Sequence, residues 1–266
     1  MSRKPDLREL YQNHHLYHAE AVAANGRLTH PVHSAMEMQA SIALAPAGGH
    51  GSVRVENFSH HGIISFRSAY SEVNGHVNEK KNSHNTLAQT VIEGVNIHNV
   101  LTCDRVVSRI VVHQPRDGSE PTIIPFGSTL DNLRIGGFKV EPDLAIDWFT
   151  LNDTYEKFAA LIPKVKHQFK KMRIRASEDE DIPKGQSPHL QGKIACTMVR
   201  DWGKLPPGVE QHGHGLWVPE FGMVYIGEIF VSPGLRRLRM IRTVLGCGSG
   251  GEACIGSGSG GTVPWP

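Results

Sequence analysis

Two histidines separated by one glycine, His212-Gly213-His214, have the spacing of a pair of metal ligands. Side chains of an extended segment alternate between its two sides, so both imidazoles would point the same way. Histidine is the commonest protein ligand of transition metals, and Glu220 is nearby in the sequence. This spacing indicates a site for a divalent transition metal at His212 and His214, but a polar loop with turn-forming glycines is the favoured interpretation.

Four arginines, Arg236, Arg237, Arg239 and Arg242, form the densest basic cluster on a predicted strand. Strict alternation places Arg237 and Arg239 on one face of that strand, and Arg236 and Arg242 on the other. Arginine presents a fork of donors to carboxylates and phosphates, so the cluster predicts a site for an anionic ligand or partner. The alternative is a solvated face that keeps an edge strand from aggregating.

Residues 246–261 contain eight glycines and three serines, a composition typical of a flexible linker. The chain then continues to Trp265, which lies between two prolines. This tryptophan is predicted to be an assembly or docking element that anchors the tail to the body of the protein or to a neighbouring subunit.

The four cysteines fall into two kinds of context. Cys103 and Cys196 lie in strand-like segments and are predicted to be free, buried thiols. Cys247 and Cys254 flank a flexible glycine-rich stretch, which leaves open a disulfide between them in an oxidising compartment.

Composition excludes several classes of protein. The 266 residues carry 28 basic and 26 acidic side chains, a near balance that argues against general nucleic-acid binding. No apolar run reaches the length of a membrane-spanning helix. The first ten residues are not followed by the apolar core of a secretory signal, so a cytoplasmic location is the default expectation.

Segments with the residue composition of β-strands make up most of the chain and determine the predicted fold. The clearest element is a β-hairpin, in which residues 223–231 and 235–245 flank Ser232-Pro233-Gly234. Further strands are predicted at residues 52–58, 62–73, 87–97, 101–113, 122–126, 129–135 and 138–141. Many strands without intervening helices favour an antiparallel β-sandwich or barrel-like domain.

Two helices accompany these strands in the prediction. Apolar residues at three-and-four spacing within 6–24 indicate a short N-terminal helix, and a capped stretch near 152–162 indicates one inserted helix. The predicted organisation is an N-terminal helical segment at 1–26, a β-rich domain at 27–245 and the glycine- and serine-rich tail at 246–266.

No linear motif identifies an activity. The sequence has no nucleophile elbow, no phosphate-binding loop and no dinucleotide-binding glycine motif that opens a helix. The expected function is a non-catalytic β-rich protein that binds a ligand or assembles with itself into a homo-oligomer. The alternative is a metal-dependent enzyme whose histidine site lies in the mouth of a barrel or sandwich.

Overall fold

The computed structural model describes residues 15–160, 175–176 and 194–262, which are mainly β. Two short α-helices, α1 (Ile146–Leu151) and α2 (residues 155–160), and a 3-10 turn at Glu79–Lys81 accompany the strands in these ranges. The strands are β1 (Tyr17–His30), β2 (Ser34–Gln39), β3 (Ile42–Ala43), β4 (Gly49–His60), β5 (Ile64–Asn78), β6 (Ser83–Ile97), β7 (Leu101–Pro115), β8 (Thr122–Ile124), β9 (Thr129–Asp131), β10 (Arg134–Ile135), β11 (Phe138–Lys139), β12 (Asp143–Leu144), β13 (Arg175–Ala176), β14 (Ile194–Thr197), β15 (Val199–Asp201), β16 (Glu210–His212), β17 (Gly215–Val218), β18 (Gly222–Ser232), β19 (Leu235–Cys247) and β20 (Ser249–Thr262).

The described strands form two antiparallel sheets and one short ribbon. The larger sheet has ten strands in the order β13-β14-β18-β19-β20-β1-β2, with β17 beside β18, β16 beside β17 and β3 beside β1. The smaller sheet has eight in the order β11-β10-β7-β6-β5-β4, with β8 and β9 beside β7. Strands β12 and β15 form the ribbon.

The apolar core lies between the two sheets. Strands β1, β19 and β20 of the larger sheet pack against β5, β6 and β7 of the smaller one. Alternate side chains of each strand point into this space, among them the buried Ile92, Ile110 and Leu238. Burying one such side chain is worth roughly 1.5–3 kcal/mol. The predicted sandwich-like antiparallel fold is thus confirmed, including the hairpin of β18 and β19.

Strand β20 is formed by the segment whose composition indicates a flexible linker. It is a central strand, with β19 on one side and β1 on the other. The sheets approach closely here, since a Cβ added to Gly260 would lie 3.0 Å from Ile110 Cγ2 and 3.1 Å from Val112 Cγ2. The absence of a side chain at Gly260 is therefore a packing requirement.

A row of irregular positions crosses β18, β19, β20 and β1 and reverses the side-chain alternation along them. It contains Gly227 and Gly256, whose φ angles of +59° and +66° lie in the left-handed region. On β19 the consecutive residues Met240 and Ile241 are both buried at this row. The next residue, Arg242, consequently points away from the core.

Substituting Gly256 tests the contribution of this row. We expect Gly256→Ala to lower the free energy of unfolding by about 1–3 kcal/mol, because a side chain strains the left-handed backbone. The new Cβ would also lie 3.2 Å from Val106 Cγ1. Gly246→Ala is the matched control, because a Cβ at Gly246 meets nothing closer than 3.8 Å. Chemical unfolding compares the two variants, and equal losses would contradict the expectation.

The predicted N-terminal helix is wrong where the structure describes it. Residues 17–30 form β1, and residues 1–14 lie outside the described ranges. Ala19 and Ala21 are buried while His18 and Glu20 are partly exposed, which is the period of a strand. Pairing with β20 on one side and with β2 and β3 on the other outweighs the local helical spacing.

The predicted inserted helix is present as α2, although residues 161 and 162 lie outside the described ranges. Thr154 caps it, accepting a hydrogen bond at its Oγ1 from the Lys157 backbone N–H at 3.2 Å. Helix α1 precedes it and packs Phe149 against Phe158, with ring centroids 5.8 Å apart. Neither described helix has the length and apolar character needed to cross a membrane.

The cysteine predictions have different outcomes. Cys103 and Cys196 are free and buried, as predicted. Cys254 is also a free buried thiol, so the alternative of a Cys247–Cys254 disulfide is wrong. Cys254 lies opposite Arg242 in the β19–β20 hairpin, whereas Cys247 lies opposite Ser249 beside the turn.

Candidate anion-binding site

Arg237 and Arg239 lie on the outer face of the larger sheet, which points away from the smaller sheet. The residues between and beside them on β19, Arg236, Leu238 and Met240, are buried on the inner face. Arg237 is exposed and Arg239 is partly exposed. The alternation predicted for these two arginines is therefore found in the structure.

A cleft of about 110 Å³ opens beside these two arginines. Strand register sets Ser259 directly opposite Arg237 and Ser257 directly opposite Arg239 on the neighbouring β20. Beyond β20, Glu20 of β1 lies opposite Ser259 and also lines the cleft. We call this surface, lined by Arg237, Arg239, Ser257, Ser259 and Glu20, the arginine cleft. Val22, Asn25 and Met38 also line it. Its accessible donors are the two guanidinium groups, the Ser257 hydroxyl and the Asn25 amide, because Ser259 is only 3% exposed.

Neither cleft arginine is neutralised by a carboxylate in the described part of the chain. Arg239 contacts an aromatic ring instead, with its guanidinium carbon 5.2 Å from the Phe230 ring centroid. Arg237 forms no ion pair with any described residue, and its charge contributes to lowering the pKa of the nearby His18. Free guanidinium forks at a concave surface are suited to carboxylate, phosphate or sulfate groups.

His18 borders the arginine cleft on β1. Its Nε2 lies 3.4 Å from the Ser259 Oγ, close enough for a long hydrogen bond. Burial lowers the pKa of His18, and the charge of Arg237 lowers it further against the opposing effect of Glu20. These effects together disfavour the charged imidazole, so the positive charge of the cleft comes mainly from its arginines.

Arg242 lies on the outer face but is bound to a buried carboxylate. Its Nε and Nη2 donate to the two oxygens of Glu228 at 2.6 and 2.7 Å. His214 Nε2 lies 3.0 Å from Glu228 Oε1, and the Arg242 guanidinium stacks 3.8 Å from the Tyr225 ring centroid. Strict alternation was wrong for Arg242, because the irregular row at Met240 reverses the side-chain direction.

The charges of this buried pair stabilise each other. Burial alone would raise the pKa of Glu228, but hydrogen bonds from Arg242 and His214 and the charge of Arg242 lower it to about 2. Burial would lower the pKa of Arg242, yet its contact with Glu228 raises it above the ordinary value. Arg242 therefore uses its charge and its donors within the fold and is poorly suited to bind an external anion.

Arg236 is buried inside the sandwich and does not face the arginine cleft. It is 2% exposed, and its Nη2 donates to the Asn152 carbonyl at 2.7 Å and to the Thr154 carbonyl at 3.4 Å. It thereby ties β19 to the residues that begin α2. The four predicted arginines thus have three environments: Arg237 and Arg239 line the cleft, Arg242 is ion-paired and Arg236 is internal.

His212 and His214 do not adopt the extended geometry on which the metal prediction depends. His212 ends β16 and pairs with Gly215, so Gly213 and His214 form the turn of a tight hairpin. His212 contacts Glu210 at 3.2 Å, whereas His214 contacts Glu228. In the described residues, no three His, Cys, Asp or Glu side chains are grouped so that they could hold a metal ion.

Several residues of the site were absent from the sequence-based prediction. Ser257 and Ser259 lie in the glycine-rich segment, and only its assignment as a strand next to β19 could have placed them beside the arginines. Glu20 and His18 lie in the segment that was predicted to be helical. The predicted docking residue Trp265 lies outside the described ranges.

Comparison with known proteins adds a family but no activity. No curated protein and no solved structure matches the chain. One family, described as a domain of unknown function (DUF8256), matches residues 15–232, which include β1 to β18 and therefore most of both sheets. The chain accordingly belongs to the family of the domain of unknown function DUF8256.

Proposed function

We propose that this protein is a non-catalytic binding protein that holds an anionic ligand in the arginine cleft. The observation that carries the proposal is the contrast between arginines on one strand. Arg242 is matched by a buried carboxylate, whereas Arg237 and Arg239 reach a concave surface, also lined by Glu20, without an ion pair to any described residue. Their charge remains available to a ligand.

The neighbouring strand adds a donor for an oxyanion. Ser257 of β20 lies opposite Arg239 of β19 and is partly exposed, so donors from two adjacent strands face the same space. Adjacent strands are about 4.8 Å apart. One phosphate, sulfate or carboxylate group can therefore contact a long arginine side chain of one strand and a short serine side chain of the next. Hydrogen bonds to charged groups contribute about 1.5–3 kcal/mol each, enough for a specific small-anion site.

The residues around the cleft favour binding over catalysis. Ser259 and His18 are the pair at this cleft that most resembles a nucleophile and its general base. Ser259, however, is only 3% exposed. His18 makes no second hydrogen bond within the described residues, so no third group orients its ring as a general base requires. The arrangement can hold an anion but lacks the parts of a hydrolytic site.

Titration with inorganic phosphate and with sulfate at low ionic strength tests the proposal. We expect Arg237→Ala and Arg239→Ala each to weaken binding about tenfold, the effect of losing one charge-assisted hydrogen bond. Binding should also weaken as salt is raised, because the cleft is open to solvent. Isothermal titration calorimetry measures the affinities.

Two further variants sharpen this test. Arg54→Ala removes an arginine of β4 on the smaller sheet, which is paired with Glu56 at 2.7 Å, and should leave binding unchanged. Glu20→Gln should strengthen anion binding, because it removes a like charge from the cleft wall. No anion binding at millimolar concentrations, or equal binding by the Arg237, Arg239 and Arg54 variants, would contradict the proposal.

A further inference from the structure

A second cleft adjoins the arginine cleft and shares its two arginines. It measures about 220 Å³ and is lined by Phe230, Val231, Ser232 and Leu235 in addition to Arg237 and Arg239. We call this surface the apolar cleft. It lies where β18 and β19 approach their connecting turn, since Leu235 pairs with Ser232 and Arg237 with Phe230. The two arginines thus lie between this cleft and the arginine cleft, whose lining contains both polar and apolar side chains.

Along one row across the strands, the side chains that line the two clefts change from apolar to polar. Phe230 of β18, Arg237 of β19 and Ser259 of β20 form one continuous cross-strand row. Two strand spacings separate its ends, which is about 10 Å. A ligand that follows this row meets an aromatic ring first and a guanidinium next, and the partly exposed Ser257 lies two residues from Ser259 on β20.

From this arrangement we propose that the ligand is an amphipathic anion. Its carboxylate, phosphate or sulfate group lies between Arg237 and Arg239 beside the Ser257 hydroxyl, and a compact apolar group, aromatic or short aliphatic, covers Phe230 and Leu235. This inference rests on the proposed function, because it takes the arginine cleft as the site of the anionic group. It adds the chemical class of the remainder of the ligand.

The size of the apolar cleft limits what can occupy it. Pockets for drug-sized ligands have volumes of roughly 300–1,000 Å³, so about 220 Å³ suits a single ring or a chain of a few carbons. Arg239 already lies against the face of Phe230, and a guanidinium in that position presents a flat surface to a second ring. A single-ring aryl anion therefore matches both clefts together.

Comparing inorganic phosphate with phenyl phosphate separates this inference from the proposed function. We expect phenyl phosphate to bind about tenfold more tightly, the gain from burying one small apolar group. Leu235→Ala should reduce that advantage while leaving the affinity for inorganic phosphate unchanged. Phe230→Ala should also reduce the advantage, and it removes the ring against which Arg239 packs. Calorimetric titration of both probes against each variant gives the comparison, and thermal melting confirms that each variant is folded.

Val244→Ala is the matched control for the apolar substitutions. Val244 is an exposed apolar residue on the same strand, 37% exposed, and lines neither cleft. Its removal should leave the preference for phenyl phosphate intact. Equal affinity of the wild-type protein for phenyl phosphate and inorganic phosphate would contradict the proposal of an amphipathic ligand but not the proposed anion site. Failure of both probes to bind would overturn the proposed function itself.

Discussion

Replacing Glu228 with glutamine should lower the free energy of unfolding by about 3–5 kcal/mol, the cost of breaking a buried ion pair by removing one partner. Glu228 is 4% exposed and accepts hydrogen bonds from Arg242 at 2.6 and 2.7 Å. The glutamine side chain is neutral and carries an NH₂ group that would face one of these donors. The Arg242 guanidinium would then keep its charge in a partly buried position without a strong partner. Urea unfolding monitored by tryptophan fluorescence measures the loss.

Glu252→Gln is the control, since Glu252 approaches the same arginine from the solvent side. Its Oε1 lies 3.6 Å from Arg242 Nη1, and its side chain is half exposed. Exposed ion pairs contribute about 0–1 kcal/mol, so the loss should be small. Similar losses for the Glu228 and Glu252 variants would show that burial of the pair does not determine its contribution.

The pH dependence of stability provides an independent readout of Glu228. Its folded-state pKa of about 2 lies below the ordinary value of 4.5. A carboxyl group with a lowered folded-state pKa stabilises the fold fully above the ordinary value and loses that contribution as the pH falls. The wild-type protein should therefore lose stability between pH 4.5 and about 2 more steeply than Glu228→Gln. Parallel stability curves for the two proteins would contradict this.

Local residue patterns were sufficient to predict the strands of the smaller sheet and the hairpin of β18 and β19. The hairpin of β18 and β19 follows from β-branched and aromatic runs around Pro233-Gly234, and its strands begin and end within a few residues of the prediction. This prediction succeeded because both strands are long and a turn-forming Pro-Gly pair separates them. The same reasoning failed for β1, where alanines fit a helix stripe as well as a strand.

Strand β20 could not be recognised from composition, because the property that selects its residues is non-local. Gly258 and Gly260 lie against the smaller sheet, where a Cβ on Gly260 would meet side chains of β7 at about 3 Å. A flexible linker and a strand that packs closely against a second sheet can therefore have the same composition. Only the distance between the sheets distinguishes them.

The candidate site shows a similar division. The concentration of arginines on β19 was visible in the sequence, and so was the common face of Arg237 and Arg239. The irregular row that turns Arg242 outward depends on Gly227 and Gly256 in two other strands, so alternation along β19 alone could not reveal it. The partners that distinguish a free arginine from a paired one come from other strands as well.

Replacing Arg236 with alanine should lower the free energy of unfolding by about 3–5 kcal/mol. The side chain is 2% exposed, and its loss leaves a large cavity in addition to two carbonyl groups without their donor. Its guanidinium carbon lies 5.8 Å from the Phe158 ring centroid, so the packing of α2 against β19 is also weakened. Chemical unfolding measures the effect.

Two companion variants divide this loss into its causes. Arg237→Ala changes the adjacent residue on the outer face and should alter stability by less than about 0.5 kcal/mol, as is usual at an exposed position. Arg236→Met restores much of the volume without a charge, and we expect it to cost about 1–2 kcal/mol. The smaller cost follows from burial of the guanidinium, which lowers the pKa of Arg236 to about 10. Its Nη1 is buried with no hydrogen-bond partner among the described residues. Burying this group destabilises the native protein, and methionine at this position would not have that penalty. Equal losses for Arg236→Ala and Arg236→Met would assign the stabilisation to the carbonyl contacts instead of the packing.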